Sequence, residues 1–219
     1  MPDASAIAPT LLLLAMLAVL LWFTIGTQRN IRRGNDLLRW LQDGLPVVGR
    51  RTTLRWLGSS VAQLGLVDPN EPFRELELLV VMEPRDLGAL WALARARGRR
   101  DFLIVRGSLR RAPRRHALAV DPAGWTADQG GVPGEPPLDR REEWRDESGR
   151  PVQLSYDDAA DAHFVRDRWN GLAALGVAPW RIAVRPIVPH LELHVAGAGI
   201  EQVGSARLLE AVRRIATEL

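Results

Sequence analysis

The chain has 219 residues and a formal net charge of +3, and its sequence contains neither cysteine nor lysine. Without cysteine there are no disulfides, thiolate nucleophiles or cysteine metal ligands; without lysine there is no Schiff-base chemistry and no phosphate-binding loop of the lysine type. Arginine outnumbers acidic residues between positions 29 and 115, whereas acidic residues outnumber arginine from position 116 onward.

An apolar stretch without a charged side chain occupies residues 7–26. As a helix, a stretch of this length spans about 30 Å, the thickness of the hydrocarbon core of a bilayer. The sequence therefore predicts a transmembrane helix over 7–26, preceded by a short extracytoplasmic segment over 1–6.

Two other interpretations of this stretch are a cleaved signal peptide and a buried core helix. A signal peptide begins with basic residues and ends with small ones, but here Asp3 precedes the stretch and the bulky Trp22 and Phe23 lie near its end. A core helix of a soluble domain is seldom apolar on all sides. We favour a retained signal-anchor helix.

The residues after the apolar stretch indicate its orientation. Several arginines follow at once, and the positive-inside rule then places the C-terminal domain in the cytoplasm and the N-terminus outside the cell membrane. Tryptophan rings favour the boundary between lipid and water. The candidates for the membrane interface are Trp22, Arg29, Arg32, Arg33, Arg39 and Trp40.

Residues 29–45 have the pattern of a short amphipathic juxtamembrane helix. This helix either continues the anchor or turns along the membrane surface. Its arginines either only set the orientation of the anchor or also bind specific lipids. We favour the first explanation, because the positive-inside rule alone requires arginines beside an anchor.

Residues 46–121 are predicted to form a first α+β unit. Alternation predicts a hairpin with strands near 50–57 and 60–67, and the apolar run 76–82 predicts a central strand. A helix with an apolar stripe of Leu87, Leu90, Trp91 and Ala94 follows, then strands over 101–105 and 116–120. Strand, helix and strand in this order are typical of a βαβ unit or of a ferredoxin-like split βαβ unit.

Residues 122–150 are rich in glycine, proline and acidic side chains and are interpreted as a mobile linker. Its two tryptophans, Trp125 and Trp144, are expected to pack back onto the domain. A second α+β unit is predicted over 151–219, with strands over 152–156, 180–184 and 191–195. A helix capped by Asp157 or Asp158 lies between the first two, and a last helix begins near Gly204.

The predicted fold class is α+β. A single N-terminal transmembrane helix is followed by a cytoplasmic domain with a mixed sheet of the α/β type. Two ferredoxin-like or split βαβ halves are one arrangement that fits this order of elements.

Two clusters of acidic and histidine side chains contain residue types that bind metal ions. His190 and His194 lie on a predicted strand, about 13 Å apart, which is too far to share a metal. We expect them with Glu192 on one polar face of the sheet, either solvated or in an interface. The second cluster holds Asp157, Asp158, Asp161 and His163, and acids at a helix start are favoured without any ligand. We expect no metal site and no cofactor.

The densest basic feature runs from residue 95 to residue 115. Arginine binds phosphate well through paired contacts, so lipid headgroups or another anion are possible ligands, while a solvated or membrane-facing surface is the simpler explanation. Nucleic acid is not expected, because aromatic side chains do not alternate with the arginines. The candidates for anion binding are Arg99, Arg100, Arg110, Arg111, Arg114 and Arg115.

The sequence contains no recognised catalytic motif. Three hypotheses for function follow: a membrane-tethered interaction or scaffolding module with a protein partner, a binder of an anionic ligand or lipid headgroup, and an enzyme with an unrecognised site. We favour the first, because an anchor, a basic inner half and a polar loop are present and a catalytic set is not apparent in the sequence.

Overall fold

The computed structural model describes the backbone of residues 4–219 and the side chains of residues 8–219. Of the expected extracytoplasmic segment 1–6, residues 1–3 lie outside this part. The helices are α1 (Ala4–Val48), α2 (Gly88–Ala96), α3 (Ala159–Ala174) and α4 (Ser205–Thr217). The strands are β1 (Arg51–Trp56), β2 (Val61–Val67), β3 (Phe73–Val81), β4 (Phe102–Leu109), β5 (Ala117–Val120), β6 (Arg140–Arg145), β7 (Pro151–Tyr156), β8 (Pro179–Val184) and β9 (Leu191–Ala196).

Within residues 4–219, nine strands form one sheet in the order β1-β2-β3-β4-β9-β8-β5-β7-β6, and each pair of neighbours is antiparallel. The expected α+β class and the β1–β2 hairpin are confirmed. The expected mixed sheet is wrong, because β3 and β4 are antiparallel neighbours in which Leu78 faces Val105. Helix α2 connects them beyond the end of the sheet, as in a long hairpin, rather than across its face.

The sheet also runs through both expected units. Strand β4 of the first unit pairs with β9 of the second, and β5 pairs with β7 and β8. Two ferredoxin-like halves are therefore not confirmed.

The hydrophobic core lies on the face of the sheet that α1, α3 and α4 cover. Alternate residues of the central strands point to this face, including Leu103 and Val105 from β4 and Leu193 and Val195 from β9. Trp169 of α3 is fully buried in the same cluster. Period-two alternation thus gives the sheet one continuous apolar face, whereas its other face carries polar residues and a smaller apolar cluster of Val81, Phe102, Ile104 and Trp180.

Helix α1 contributes its second half to this core. The helix continues without a break through residues 29–45, so of the two expected arrangements it continues the anchor. Gly34 lies against Trp56 and Met82, and Gly44 lies against α4. The buried apolar residues of this half are Leu37, Leu38, Leu41, Leu45 and Val48.

The first half of α1 is apolar and exposed. Its most apolar 18-residue window has a mean hydropathy of 2.3 and is 0% buried, which makes it the one helix among the described residues that is long and apolar enough to cross a membrane. Its large side chains from Leu11 to Ile25 are 47% to 68% exposed. The same helix therefore has an apolar surface that the domain does not cover and a second half that the domain packs against.

The segment 122–150 contributes structure of its own. It contains β6, and Trp144 of that strand packs edge-on against Trp169, with 5.9 Å between ring centroids. Trp125 is more exposed and lies under the guanidinium of Arg99. Both tryptophans thus contact the domain, as expected, and Trp125 is the more exposed of the two.

The apolar stripe of α2 differs from the expectation. Ala94 is its buried member, whereas Leu87 and Leu90 are exposed. The helix lies at the end of the sheet, beside α1, where the core does not reach. Leu93 is exposed on the same helix.

We predict that Gly44→Ala destabilises the protein. Replacing a glycine in a helix with alanine normally raises the free energy of unfolding by up to about 1 kcal/mol. At this position, however, the added Cβ would lie 2.6 Å from the carbonyl carbon of Ser205. The overpacking of α1 against α4 should lower the free energy of unfolding by about 1–3 kcal/mol. Urea unfolding of the full chain in mild detergent measures this change.

The matched control for this prediction is Gln42→Ala, an exposed position two residues away on the same helix. It should change the free energy of unfolding by no more than about 0.5 kcal/mol. If Gly44→Ala is as stable as the wild type or more stable, α1 and α4 do not pack as described.

Candidate membrane-proximal site

A network of polar side chains holds α1 to the domain where the apolar half of the helix ends. Asn30 is fully buried; its side-chain amide donates to the backbone oxygen of Glu83 at 3.0 Å, and its Oδ1 accepts from Arg85 at 3.0 Å. A buried amide with both ends satisfied fixes the rotation of α1 relative to the β3–α2 connection.

Asp101, at the start of β4, joins the same network. Its Oδ1 accepts from the backbone N–H of Glu83 at 2.8 Å, and its Oδ2 accepts from Arg85 at 3.0 Å. Arg33 lies 3.5 Å from the same carboxylate and 2.7 Å from Glu201. These ion pairs, acting against burial, raise the pKa of Arg33. Three segments that are distant in sequence therefore meet at one carboxylate.

Glu83 connects this network to α2. The indole N–H of Trp91 donates to its carboxylate at 2.6 Å, and Arg95 donates to the same group at 3.1 Å. The carboxylate of Glu83 is buried, so its charge is compensated by these donors. The middle and the C-terminal end of α2 are thereby tied to Glu83, whose backbone oxygen in turn accepts from Asn30 of α1.

Close backbone contacts complete the attachment. The indole N–H of Trp22 donates to the backbone oxygen of Arg85 at 3.1 Å, and a Cβ at Gly88 would lie 2.8 Å from the Trp22 ring. A Cβ at Gly26 would overlap the same backbone oxygen. A groove of about 770 Å³ between α1 and α2 is lined by Ala18, Val19, Trp22, Phe23, Asp86, Leu87, Gly88, Ala89 and Leu90.

The structure separates the candidates for the membrane interface into two groups. Trp22 lies level with α2, and Arg29 and Arg32 are exposed just beyond it. Trp40 lies about 27 Å farther along α1 and donates to the backbone oxygen of Val203 at 2.8 Å, so it packs within the domain. Arg39 is paired with Asp36 on the helix surface, and Arg33 belongs to the network above.

The candidates for anion binding also fall into two groups. Arg99 and Arg100 precede β4 and the other four follow it, so the length of the strand, about 27 Å, separates them. Arg100 donates to the backbone oxygens of Arg95 and Arg99, at 2.9 Å and 2.7 Å. These two arginines lie at the α2 end of the domain.

The second group lines a groove of about 1110 Å³ at the opposite end. Its arginines, Arg110, Arg111, Arg114 and Arg115, face Asp157, Asp158 and Asp161 across the groove. Arg115 donates to Asp161 at 2.9 Å. The carboxylates offset most of the positive charge, so the groove is not a strongly basic surface.

The acidic and histidine clusters have internal partners. Asp158 caps α3 by accepting from the N–H of Ala160, and Asp157 lies 2.8 Å from the ring of His116. His190 accepts from the N–H of Leu109 at 2.8 Å. Among the described residues, no group of three or more His, Asp or Glu side chains is placed to hold a metal ion.

A buried charged cluster occupies the polar face of the sheet. Glu192 and His194 are buried there, together with Arg181 and Arg185, under the segment 121–139. Glu192 and His194 thus share the expected polar face, and this segment covers that face rather than leaving it to solvent. An adjoining groove of about 200 Å³, lined in part by Arg106 and Arg185, is smaller than typical ligand pockets of about 300–1,000 Å³.

Glu192 is the centre of this cluster. Burial alone raises its pKa, but the adjoining His194 ring and the guanidinium groups of Arg185 and Arg106 lower the pKa to about 2. Burial lowers the pKa of His194, so the ring is neutral at pH 7. The carboxylate therefore stays charged and compensates buried arginines, a structural arrangement rather than an acid–base pair near neutrality.

Sequence reasoning missed Asn30, Glu83 and Asp101. The available signal was topological: Glu83 directly follows β3 and Asp101 directly precedes β4, so an antiparallel pairing of these strands places them side by side. The parallel arrangement expected from the sequence would have placed them at opposite ends of the sheet.

A scan against protein-family models finds no matching family, and a search of curated proteins finds no match. The fold and the site define the class of protein on their own. It is an α+β domain built on the second half of a helix whose first half is long and apolar enough to cross a membrane.

We predict that Glu192→Gln lowers the free energy of unfolding at pH 7 by about 3–5 kcal/mol, because the buried arginines lose their counter-charge. In the wild type the pKa of Glu192 is depressed on folding, so its contribution is present above the unfolded pKa near 4.5 and is lost as the pH falls toward 2. Urea unfolding at several pH values between 7 and 2 measures both effects.

The variant should therefore be less stable than the wild type at pH 7, and its free energy of unfolding should fall less steeply than that of the wild type as the pH is lowered. Asp146, whose hydrogen-bonded carboxylate also has a pKa of about 2, leaves a residual slope. Glu147→Gln, at an exposed position, is the control and should match the wild type. A Glu192→Gln profile parallel to the wild-type profile would contradict this assignment.

Proposed function

We propose that this is a single-pass protein of the cell membrane, with its N-terminus outside and its domain in the cytoplasm, that acts as a membrane-tethered interaction or scaffolding module. The observation that carries the proposal is the division of α1. Its apolar half is exposed along its whole circumference, and its other half is part of the core of the domain.

The contacts of α1 favour a retained anchor over a cleaved signal peptide. Trp22 and Gly26 lie at the end of the apolar stretch and contact the connection that leads into α2. Cleavage at the end of the stretch would remove a part of the folded domain. The large exposed apolar surface, in turn, is what a lipid environment requires and water does not favour.

The exposed arginines support the orientation. Arg29 and Arg32 follow the apolar stretch on α1, and Arg95 and Arg97 are exposed at the C-terminal end of α2. Basic side chains at one end of a span favour the cytoplasmic side, where anionic headgroups attract them. We therefore retain the anion-binding hypothesis in one form: these exposed arginines contact anionic lipid headgroups.

The β1–β2 hairpin supports an interaction role. Strand β1 is an edge of the sheet, and its first five residues are exposed. Leu54, Leu57 and Val67 on this hairpin are large apolar side chains that are exposed. An exposed strand edge with apolar side chains is a surface to which a partner can add a strand. We propose that β1 is the docking edge for the protein partner.

Site-specific photo-cross-linking in native membranes tests this function. A photoreactive amino acid at Leu54 of the full-length chain should give a discrete adduct with one partner, because the side chain lies on the docking edge. The same amino acid at Glu210, an exposed position on α4, is the matched control and should give none. Equal labelling at both positions, or no adduct at Leu54, would argue against β1 as the docking edge.

A further inference from the structure

Helix α2 exposes the side chains that a domain normally buries. Leu87, Leu90 and Leu93 are 50%, 48% and 49% exposed, and Ala89 and Ala92 are exposed as well. An amphipathic helix of a globular domain turns its apolar stripe toward the core. Here the stripe points away from the core, so apolar material outside the domain is needed to cover it.

The position of α2 relative to α1 is fixed by the contacts described above. Trp22 holds the start of α2 through the backbone oxygen of Arg85, and its ring lies 6.2 Å from that of Trp91. The groove between the two helices is lined mainly by apolar side chains of both. The exposed apolar surface of α2 is therefore continuous with that of the first half of α1.

The charges around α2 match a lipid boundary. Arg95 and Arg97 are exposed at its C-terminal end, and Arg99 and Arg100 follow in the next turn of the chain. An apolar helix face with arginines at its rim is typical of helices that lie in the plane of the membrane interface. A second protein copy would need one surface that is complementary to both α2 and the apolar half of α1. Lipid is fluid and adapts to both surfaces without such a match.

We propose that α2 lies in the cytoplasmic interface of the bilayer, with Leu87, Leu90 and Leu93 among the acyl chains and Arg97 toward the headgroups. This inference rests on the proposed membrane anchoring and adds a second point of contact. One transmembrane helix leaves a domain free to tilt, whereas two contacts fix the domain relative to the membrane plane. The β1 edge is then presented at a defined distance and angle.

The chain contains no cysteine, so single cysteines carry a polarity-sensitive fluorophore without background. Three full-length variants are compared in phosphatidylcholine vesicles with nitroxide-labelled lipids: Leu90→Cys in α2, Leu17→Cys in the apolar half of α1, and Val67→Cys on β2. All three positions are exposed apolar side chains. Leu93→Cys, on the same side of α2 as Leu90 and 49% exposed, provides a second, independent label should Leu90→Cys fold poorly.

We expect the probe at Leu90 to emit at shorter wavelength than the probe at Val67 and to be quenched most by shallow nitroxides, as for a residue about 5–10 Å into the interface. The probe at Leu17 should be quenched most by deep nitroxides, and the probe at Val67 should not be quenched. Quenching at Leu17 without quenching at Leu90 and Leu93 overturns the inference and leaves the anchor intact.

The remaining outcomes are also decisive. If neither Leu17 nor Leu90 is quenched, the proposed anchoring fails and the inference fails with it. If the emission at Leu90 is shifted but lipid nitroxides do not quench it, protein rather than lipid covers α2, and the inference is wrong.

Discussion

One continuous helix serves two environments, and the rest of the structure depends on this. The first half of α1 presents apolar side chains on every side, whereas its second half packs Leu37, Leu41 and Leu45 into the domain core. A helix transmits rotation and tilt along its length because each turn is hydrogen-bonded to the next. The environment that surrounds the first half therefore determines how the whole domain is oriented.

The buried polar network at Asn30 makes this coupling specific. Apolar packing alone tolerates small rotations of a helix, but a buried amide that must satisfy Glu83 and Arg85 allows one rotation. Asp101 brings the start of β4 to the same point. The network and the close contacts of Trp22 and Gly88 place α2 beside the apolar surface of α1, which is the basis for the proposal that lipid contacts both helices.

Much of the fold follows from local pattern. The hairpin turns, the end of α3 just before Gly176 and the start of α4 near Gly204 are local signals. Apart from β6, which lies in the expected linker, the strands appear where alternation and apolar runs predict them. Pairing is not local. The order strand, helix and strand fits both a parallel crossover and a long antiparallel hairpin, and the choice depends on whether α2 packs over the face of the sheet or beyond its end.

The candidate site was harder to predict for the same reason. The stripe of Leu87 and Leu90 looks like a core-facing stripe in the sequence, because periodicity does not show whether an apolar helix face is buried or exposed. The arginines from 95 to 115 look like one cluster, but β4 separates them by its full length. Glu192 and His194 look solvated, because the segment that covers them is far away in the sequence.

The most direct test of the account is alkaline carbonate extraction of membranes that contain the full-length chain, followed by measurement of the mass of the retained protein. A chain held by a spanning α1 should remain in the membrane pellet at its full 24.3 kDa. Release into the supernatant, or recovery of a chain shortened by cleavage after the apolar half of α1, would contradict the central claim.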